Sequence, residues 1–231
     1  MKNNNLKLIT FLLILVGSFL SCEKKEEEPQ KFGCDCADEL YYYYFDEKIF
    51  LNDRFLNDWL LVGFESQVQD VEIVNFINQT GLFKSLDINK IVHHAQSEVD
   101  YNMVFVNTKT LKTCSQLKEI IKTLEKSSIV AFANLTFEST AWFGGVNMDI
   151  MTYTNEVVVL LKNLDDLPDL HTIMLETNTR IKSQSEFVPE QFYITTDKNS
   201  NGDALQMANY FEETGKFEWS SPNFLDAKVN R

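Results

Sequence analysis

The sequence predicts an α+β protein made of two tandem β-α-β-β-α-β domains that follow an N-terminal β-hairpin. The main observation is that the same order of strand-like and helix-like hydrophobic patterns occurs twice along the chain. This order is the split β-α-β, or ferredoxin-like, plan, in which a four-stranded antiparallel sheet carries both helices on one face. We expect the other face of each sheet to be free for a partner.

The hairpin is predicted by an aromatic run. Tyr41-Tyr42-Tyr43-Tyr44-Phe45 is followed by the turn-like Asp46-Glu47-Lys48 and then by Ile49-Phe50-Leu51. Aromatic and β-branched residues favour strands. Four consecutive tyrosines also fit a binding platform, but a hairpin with one aromatic face packed inward explains them without a ligand.

The first copy begins with an apolar run of strand length and continues with apolar residues at helical spacing. Gly81 ends its first helix as a C-cap. The strand predicted around Ile88 is weakly marked. In chain order the predicted elements are a strand at Trp59 to Glu65, a helix through Val71, Val74 and Ile77, strands at Ile88 to His93 and Tyr101 to Val106, a helix through Leu117, Ile120, Ile121 and Leu124, and a strand at Ser128 to Phe137.

The second copy repeats this order after a connecting hairpin that contains Gly144-Gly145. Pro168 fits only in the first turn of its first helix. The predicted elements are a strand at Glu156 to Leu161, a helix through Leu167, Leu170, Ile173 and Met174, strands at Ile181 to Val188 and Phe192 to Thr196, a helix through Ala204, Met207, Ala208 and Phe211, and a strand at Phe217 to Ser220. The predicted domains are residues 40–140 for the hairpin and first copy, 141–154 for the connecting hairpin, 155–224 for the second copy and 225–231 for a tail.

The N-terminus reads as a targeting signal. Lys2 and Lys7 precede an apolar stretch from Leu8 to Leu20 that is too short for a comfortable membrane span. The stretch ends in Ser18-Phe19-Leu20-Ser21-Cys22, which resembles a lipobox, although Leu is usual where Phe19 stands. We predict a signal peptide over residues 1–21 and acylation of Cys22. The alternative is an ordinary signal peptide with an incidental cysteine.

Residues 22–39 read as a solvated tether, because the charged run from Glu23 to Pro29 cannot pack into a core. Its position directly after Cys22 resembles the acidic surface-export signals of Bacteroidetes lipoproteins, and a mere spacer is the alternative. The expected location is the cell envelope, at the outer membrane and exposed on the cell surface, with the lipid anchor as the contact to the membrane.

Composition limits the functions that the chain can have. Hydrophobic residues make up 44% of the chain, which is enough to form a hydrophobic core. The formal net charge is -13, and this disfavours a nucleic-acid partner, since phosphate binding needs clustered Lys and Arg. Cys34, Cys36 and Cys114 are an odd number in an exported chain, which leaves one thiol unpaired or paired with another molecule. We interpret all three as structural or incidental.

No cofactor and no metal site is predicted. Asp197-Lys198-Asn199-Ser200-Asn201-Gly202 matches the first half of a calcium loop, but its twelfth position is Ala208 rather than a bidentate Glu. A turn with Asn201 or Asp203 as the helix N-cap explains it better. No Ser-His-Asp order, nucleophile elbow or phosphate-binding loop can be assembled, so we predict no catalytic residue and no enzyme.

The C-terminal third carries a family resemblance. The run from Ala204 to Phe224, with Glu212-Glu213-Thr214-Gly215-Lys216 at the helix end and Ser221-Pro222-Asn223-Phe224 at the exit, resembles the end of the pro-region of Bacteroidetes subtilisin-like serine proteases. The hairpin from Tyr41 to Leu51 resembles its start. The departure is that the chain stops soon after Phe224 and has no Gly-Thr-Ser-Met or His-Gly-Thr motif.

The resemblance implies a stand-alone pro-domain that binds a subtilisin-like protease and inhibits it or helps it to fold. Glu186 and Glu190, in the turn between the second and third strands of the second copy, would then face the protease. The tail from Leu225 would lie along the protease cleft, with Val229, Asn230 and Arg231 near the position of a cut bond. The alternatives are a surface lipoprotein that binds another ligand, or the remnant of a protease that lost its catalytic half.

Overall fold

The computed structural model describes Cys36 and residues 39–93, 101–143 and 145–229. Within them the chain forms the following elements. The strands are β1 (Tyr41–Tyr44), β2 (Glu47–Phe50), β3 (Phe55–Glu65), β4 (Val92–His93), β5 (Tyr101–Asn107), β6 (Val130–Glu138), β7 (Trp142–Phe143), β8 (Val146–Asn147), β9 (Ile150–Leu160), β10 (Arg180–Gln184), β11 (Gln191–Thr195) and β12 (Trp219–Ala227), and the helices are α1 (Asp70–Gln79), α2 (Cys114–Leu124), α3 (Leu167–Thr177) and α4 (Ala204–Glu213).

Eight of these strands form one antiparallel sheet in the order β10-β11-β9-β6-β3-β5-β4, with β12 paired to β9 outside that path. Two short hairpins, β1-β2 and β7-β8, stand outside the sheet. The predicted N-terminal hairpin is therefore confirmed, with Tyr41 opposite Phe50 and Tyr44 opposite Glu47. It packs on the sheet through the Tyr42 ring, whose centroid is 4.8 Å from that of Phe224.

The prediction of two tandem ferredoxin-like domains is wrong. The structure is mostly β, with one large antiparallel sheet that runs through both halves of the described chain. Phe137 and Glu138 at the end of β6 pair with Met151 and Ile150 at the start of β9. An unpaired strand edge exposes backbone N–H and C=O groups. Here the end of β6 and the start of β9 supply hydrogen-bond partners to each other. The segment predicted as a connecting hairpin, 141–154, contains the short β7-β8 hairpin and the first residues of β9.

One hydrophobic core serves the whole sheet. The buried apolar faces of all four helices belong to the same cluster as the inward residues of the central strands. Local signals place the helices where periodicity predicted them. The Thr113 side chain caps α2 and the Asp203 side chain caps α4, each within a capping box. Pro168 lies in the first turn of α3.

The second face of the sheet is not free over the first half. Leu61, Met103, Ala131 and Phe132 form a buried apolar cluster there, and Leu225 of β12 packs against it. Gly63 makes room for this cluster, since a Cβ atom on Gly63 would overlap the ring of Phe132. The expectation of an open docking face is therefore wrong for this part of the sheet.

Several strand boundaries differ from the predicted ones; β3, for example, begins at Phe55 rather than Trp59, and β4 begins at Val92 rather than Ile88. β9 begins at Ile150 rather than Glu156, β10 ends at Gln184 rather than Val188, and β12 continues to Ala227. The residues predicted as a free tail, from Leu225 to Ala227, pair with β9 at Thr152 to Ile150. A polar or mixed stretch can pair as well as an apolar one when a partner edge is available, which hydrophobic patterning alone does not reveal.

Candidate functional site

The residues predicted to contact a protease lie in two places. Glu186 and Glu190 belong to the turn between β10 and β11, and Val229 follows the end of β12. Cys22, Asn230 and Arg231, which were also predicted to function, lie outside the described residues. The turn and the end of β12 are therefore treated separately.

The turn from Ser185 to Glu190 is held by its own hydrogen bonds. The Ser185 hydroxyl accepts the backbone N–H groups of Phe187 at 3.3 Å and Val188 at 3.2 Å. The Ser185 N–H donates to the Gln191 carbonyl at 2.8 Å. Gln184 Nε2 donates to the Pro189 carbonyl at 2.5 Å. A serine that bonds to backbone groups just after it competes with strand pairing, which explains why β10 ends early.

This turn presents Phe187, whose side chain is 92% exposed. The sequence analysis missed Phe187 because it placed the residue inside a strand. The signal that could have found it is Ser185 followed by Pro189, since Ser and Pro are turn formers that here bracket a single aromatic ring. The neighbouring Val188 is also exposed, so the turn presents two adjacent apolar side chains, and exposed apolar patches often mark contacts with another protein.

The two predicted glutamates have different surroundings. Glu186 is exposed beside Phe187, whereas Glu190 is half-buried at the start of β11. The Glu190 carbonyl accepts the N–H of Leu161 at 3.0 Å. The structure therefore brings Glu186 and Phe187 together on the exposed part of the turn and ties Glu190 to the sheet.

The end of β12 is anchored rather than loose. The Asp149 carboxylate accepts a hydrogen bond from Lys228 Nζ at 2.9 Å and from the Val229 N–H at 3.1 Å. The Asp149 N–H in turn donates to the Ala227 carbonyl at 3.0 Å. Before Val229 could lie along a protease cleft, these bonds would have to break.

The second face of the sheet in the second half holds a buried ion pair. Glu156 on β9 is 3% exposed, and its carboxylate lies 2.7 Å from Lys182 Nζ. Asn223 Nδ2 donates to the other carboxylate oxygen at 2.9 Å. A buried charge is tolerated when it is paired and hydrogen-bonded, so this arrangement explains how a charged residue fits in a strand predicted from its apolar run.

The calcium-like segment is a turn that its own neighbours satisfy. The Asp197 carboxylate accepts Arg180 Nη1 at 2.6 Å and the Asn199 N–H at 2.7 Å. Burial alone would raise the pKa of Asp197, but these two donors hold it below its ordinary value. Asp203 is the N-cap of α4, as one of the two predicted alternatives had it. Within the described ranges, no group of three or more His, Cys, Asp and Glu side chains could hold a metal ion.

Two other carboxyl groups near this segment have raised pKa values. Burial raises the pKa of Asp203, although hydrogen bonds from the Gln206 N–H at 2.9 Å and the Tyr153 hydroxyl at 3.1 Å favour its charged form. Burial also raises the pKa of Glu125. The Tyr153 hydroxyl is buried and has a pKa well above its ordinary value. Because the Asp203 side chain caps a helix, its buried position is explained by a structural role.

Cys36 and Cys114 form a disulfide with a Cα–Cα distance of 6.0 Å. The interpretation of these two cysteines as structural is therefore confirmed, and the odd cysteine among the three is Cys34, which lies outside the described residues. Among the helices that the structure describes, none has the length and apolar character needed to cross a bilayer.

Comparison with known proteins adds no assignment. No protein-family model matches the chain, and no curated protein matches it either. The function is therefore argued from the residues themselves.

Proposed function

We propose that this protein is an exported, lipid-anchored binding protein without catalytic activity, and that it docks on a subtilisin-like serine protease through the turn between β10 and β11. The observation that carries the proposal is Phe187, 92% exposed on a turn that its own hydrogen bonds hold in place. The choice of protease as the partner rests on the resemblance of Ala204 to Phe224 to subtilisin pro-regions.

The turn has the properties of an anchor for an interface. A turn whose backbone is already held by hydrogen bonds loses little conformational entropy when it binds. Burial of a Phe side chain contributes about 1.5–3 kcal/mol, and aromatic anchors dominate many interfaces. Glu186 beside it supplies a carboxylate that would be stabilised at the N-terminus of a helix on the partner.

The anchored end of β12 limits how the protein would act on the protease. With Val229 held by Asp149, the turn can dock while the chain end stays in the sheet. We therefore propose binding through the turn as the primary contact. Inhibition through Val229, Asn230 and Arg231 would require the end of β12 to detach as a second step.

Export to the cell envelope is part of the proposal. The sequence before Cys22 supports a lipoprotein signal, and the Cys36–Cys114 disulfide supports an oxidising compartment outside the cytoplasm. Attachment through acyl chains at Cys22 would leave the residues from 39 onward free to meet a partner at the membrane surface.

The test is a titration of the purified protein against each subtilisin-like protease that the same bacterium secretes. Binding is measured by calorimetry and inhibition by peptide hydrolysis. Phe187→Ser should weaken binding at least tenfold, which is about 1.4 kcal/mol. The matched control is Leu175→Ser, because Leu175 is 81% exposed on a helix and should not matter.

Two results would contradict the proposal. If the unmodified protein binds none of the proteases at micromolar concentration, the protease is not the partner. If Phe187→Ser and Leu175→Ser bind as tightly as the unmodified protein, the turn is not the contact. Deletion of residues 230–231 distinguishes binding through the turn from inhibition through the chain end. The deletion should lower inhibition only if the chain end reaches the protease cleft.

A further inference from the structure

A second candidate site lies where the tip of the β1–β2 hairpin meets β12. It includes no residue of the β10–β11 turn. We call it the aromatic groove, and its volume is about 330 Å³. Apart from two serines, its lining consists of aromatic rings and one carboxylate. The lining residues are Tyr43, Tyr44, Phe45, Glu212, Trp219, Ser220 and Ser221.

The hairpin tip holds its rings outward at a conformational cost. Phe45 and Asp46 have φ angles of 47° and 60°, in the left-handed region that a bulky side chain seldom adopts. The Phe45 ring is 83% exposed and the Tyr44 ring 60% exposed, with their centroids 4.6 Å apart. Two-residue hairpin turns commonly have positive φ at both positions, but small or polar residues usually fill them, so the bulky Phe45 at this position favours a role for its exposed ring.

The lining of the aromatic groove carries a negative charge. Glu212 is the charged residue of the lining, and no described lining residue is basic. The Glu212 carboxylate accepts the Ser220 N–H at 2.5 Å, which fixes its position. Burial raises the pKa of Glu212, and the nearby charge of Asp46 raises it further. A cation that entered the groove would stabilise the charged form of Glu212 and so lower its pKa.

The same hairpin already binds a lysine in this way, and the Tyr43 ring that lines the groove takes part. Lys48 Nζ lies 3.8 Å above the centre of the Tyr41 ring and 5.4 Å from that of Tyr43. It is 4.0 Å from Glu213 Oε1, which also accepts the hydroxyl groups of Tyr41 at 2.8 Å and Tyr43 at 2.9 Å. Aromatic faces and a carboxylate thus hold an ammonium group within this protein.

The aromatic groove presents the same combination without its cation. Tyr44, Phe45 and Trp219 supply the rings, and Glu212 supplies the carboxylate, in place of Tyr41, Tyr43 and Glu213. We propose that the groove binds the side chain of an exposed lysine on a partner polypeptide. The exposed parts of Tyr44 and Phe45 form an apolar surface. The aliphatic stem of that lysine, and the residues next to it, can pack on this surface.

The edge of β12 argues for side-chain capture rather than strand addition. A peptide that added a strand would need free backbone donors along this edge. Here the Ser220 N–H is occupied by Glu212, and Pro222 has no N–H to offer. The proposal is independent of the protease hypothesis, because it uses none of the residues of the β10–β11 turn.

The experiment is a nuclear magnetic resonance titration of the full-length Cys22→Ala protein, which keeps the Cys36–Cys114 disulfide, with the peptide acetyl-Gly-Lys-Gly-amide. The indole N–H signal of Trp219, identified through Trp219→Phe, reports occupancy. A single lysine should give a saturable shift with a dissociation constant on the order of 1 mM. The matched peptide with norleucine in place of lysine keeps the stem, removes the charge and should bind at least about fivefold more weakly.

Three variants sharpen the test. Glu212→Gln keeps an oxygen for the Ser220 N–H but removes the charge, and it should weaken lysine binding at least about fivefold. Phe45→Ser should do the same through loss of a ring, and Phe187→Ser, an equally exposed ring elsewhere, should leave binding unchanged. Equal shifts with the lysine and norleucine peptides, or no shift with the lysine peptide at about 10 mM, would overturn the proposal.

Discussion

Cys36 and Cys114 are joined by a disulfide that ties the segment before β1 to the first residue of α2, across 78 residues of sequence. Closing so long a loop removes much of the conformational entropy of the unfolded chain. We expect Cys36→Ala or Cys114→Ala to lower the free energy of unfolding by about 4 kcal/mol, measured by urea denaturation. The unmodified protein in reducing buffer should show the same loss, and variants as stable as the oxidised protein would show that this pairing contributes nothing.

Gly63 should not tolerate a side chain. Because a Cβ atom there would overlap the ring of Phe132, Gly63→Ala should cost about 1–3 kcal/mol through forced repacking. In a Phe132→Ala background, the same Gly63→Ala change should cost much less, since the obstructing ring is gone. Equal costs in the two backgrounds, measured by thermal or urea unfolding, would show that the two residues are not coupled.

Lys182 should contribute to stability only because it neutralises the buried Glu156 carboxylate. Lys182→Met leaves the Glu156 carboxylate with Asn223 as its remaining side-chain donor, and we expect a loss of about 3 kcal/mol. Glu156→Gln combined with Lys182→Met removes both charges and should recover most of that loss. A double variant no more stable than Lys182→Met alone would contradict this interpretation of the pair.

Asp203 should make stability depend on pH. Because burial raises its folded-state pKa above the ordinary 3.8, the folded protein binds more protons at this group than the unfolded chain does. Its unfavourable contribution is therefore absent below pH 3.8 and appears as the pH rises through the folded-state pKa. Asp203→Asn keeps a capping side chain and removes this titration.

The measurement compares the two proteins by urea unfolding between pH 4 and pH 7. The unmodified protein should gain stability relative to Asp203→Asn as the pH falls. Gln206→Ala, which removes the partner residue of the capping box while Asp203 still titrates, serves as a control that should keep the pH dependence. A constant difference between the unmodified protein and Asp203→Asn over this range would contradict the assignment.

Cys22→Ala should abolish membrane association without loss of fold. Attachment by acyl chains contributes about 0.8 kcal/mol for each buried methylene, and the first residue of the described core is Cys36, well after Cys22. Partitioning into a detergent phase measures the anchor, and circular dichroism measures the fold. If the variant partitions with detergent as the unmodified protein does, the lipoprotein hypothesis fails.

The sequence by itself predicted the local elements well. Periodicity identified all four described helices, and the capping residues of α2 and α4 lie where a helix should begin. The tyrosine-rich hairpin also forms at the predicted residues. These features depend on residues within one or two turns of each other, so the information is contained in short stretches of sequence.

The sequence predicted the candidate site only in part. The turn that carries Glu186 was expected between two strands, yet Phe187 was hidden in the preceding strand assignment, because one hydroxyl group of Ser185 decided where that strand ended. The aromatic groove could not be predicted, since it is formed by residues of the hairpin and of β12 that are about 175 positions apart.

Only the tertiary structure decided how the two halves are joined. The pairing of β6 with β9, the disulfide between Cys36 and Cys114, the burial of the second sheet face and the anchoring of Val229 by Asp149 each require distant segments to meet. Hydrophobic patterning records which side of a strand is buried, but it does not record which edge is paired or what covers the opposite face. The folded chain settles those two points, because backbone groups and charges that become buried must be paired, and here distant segments supply the partners.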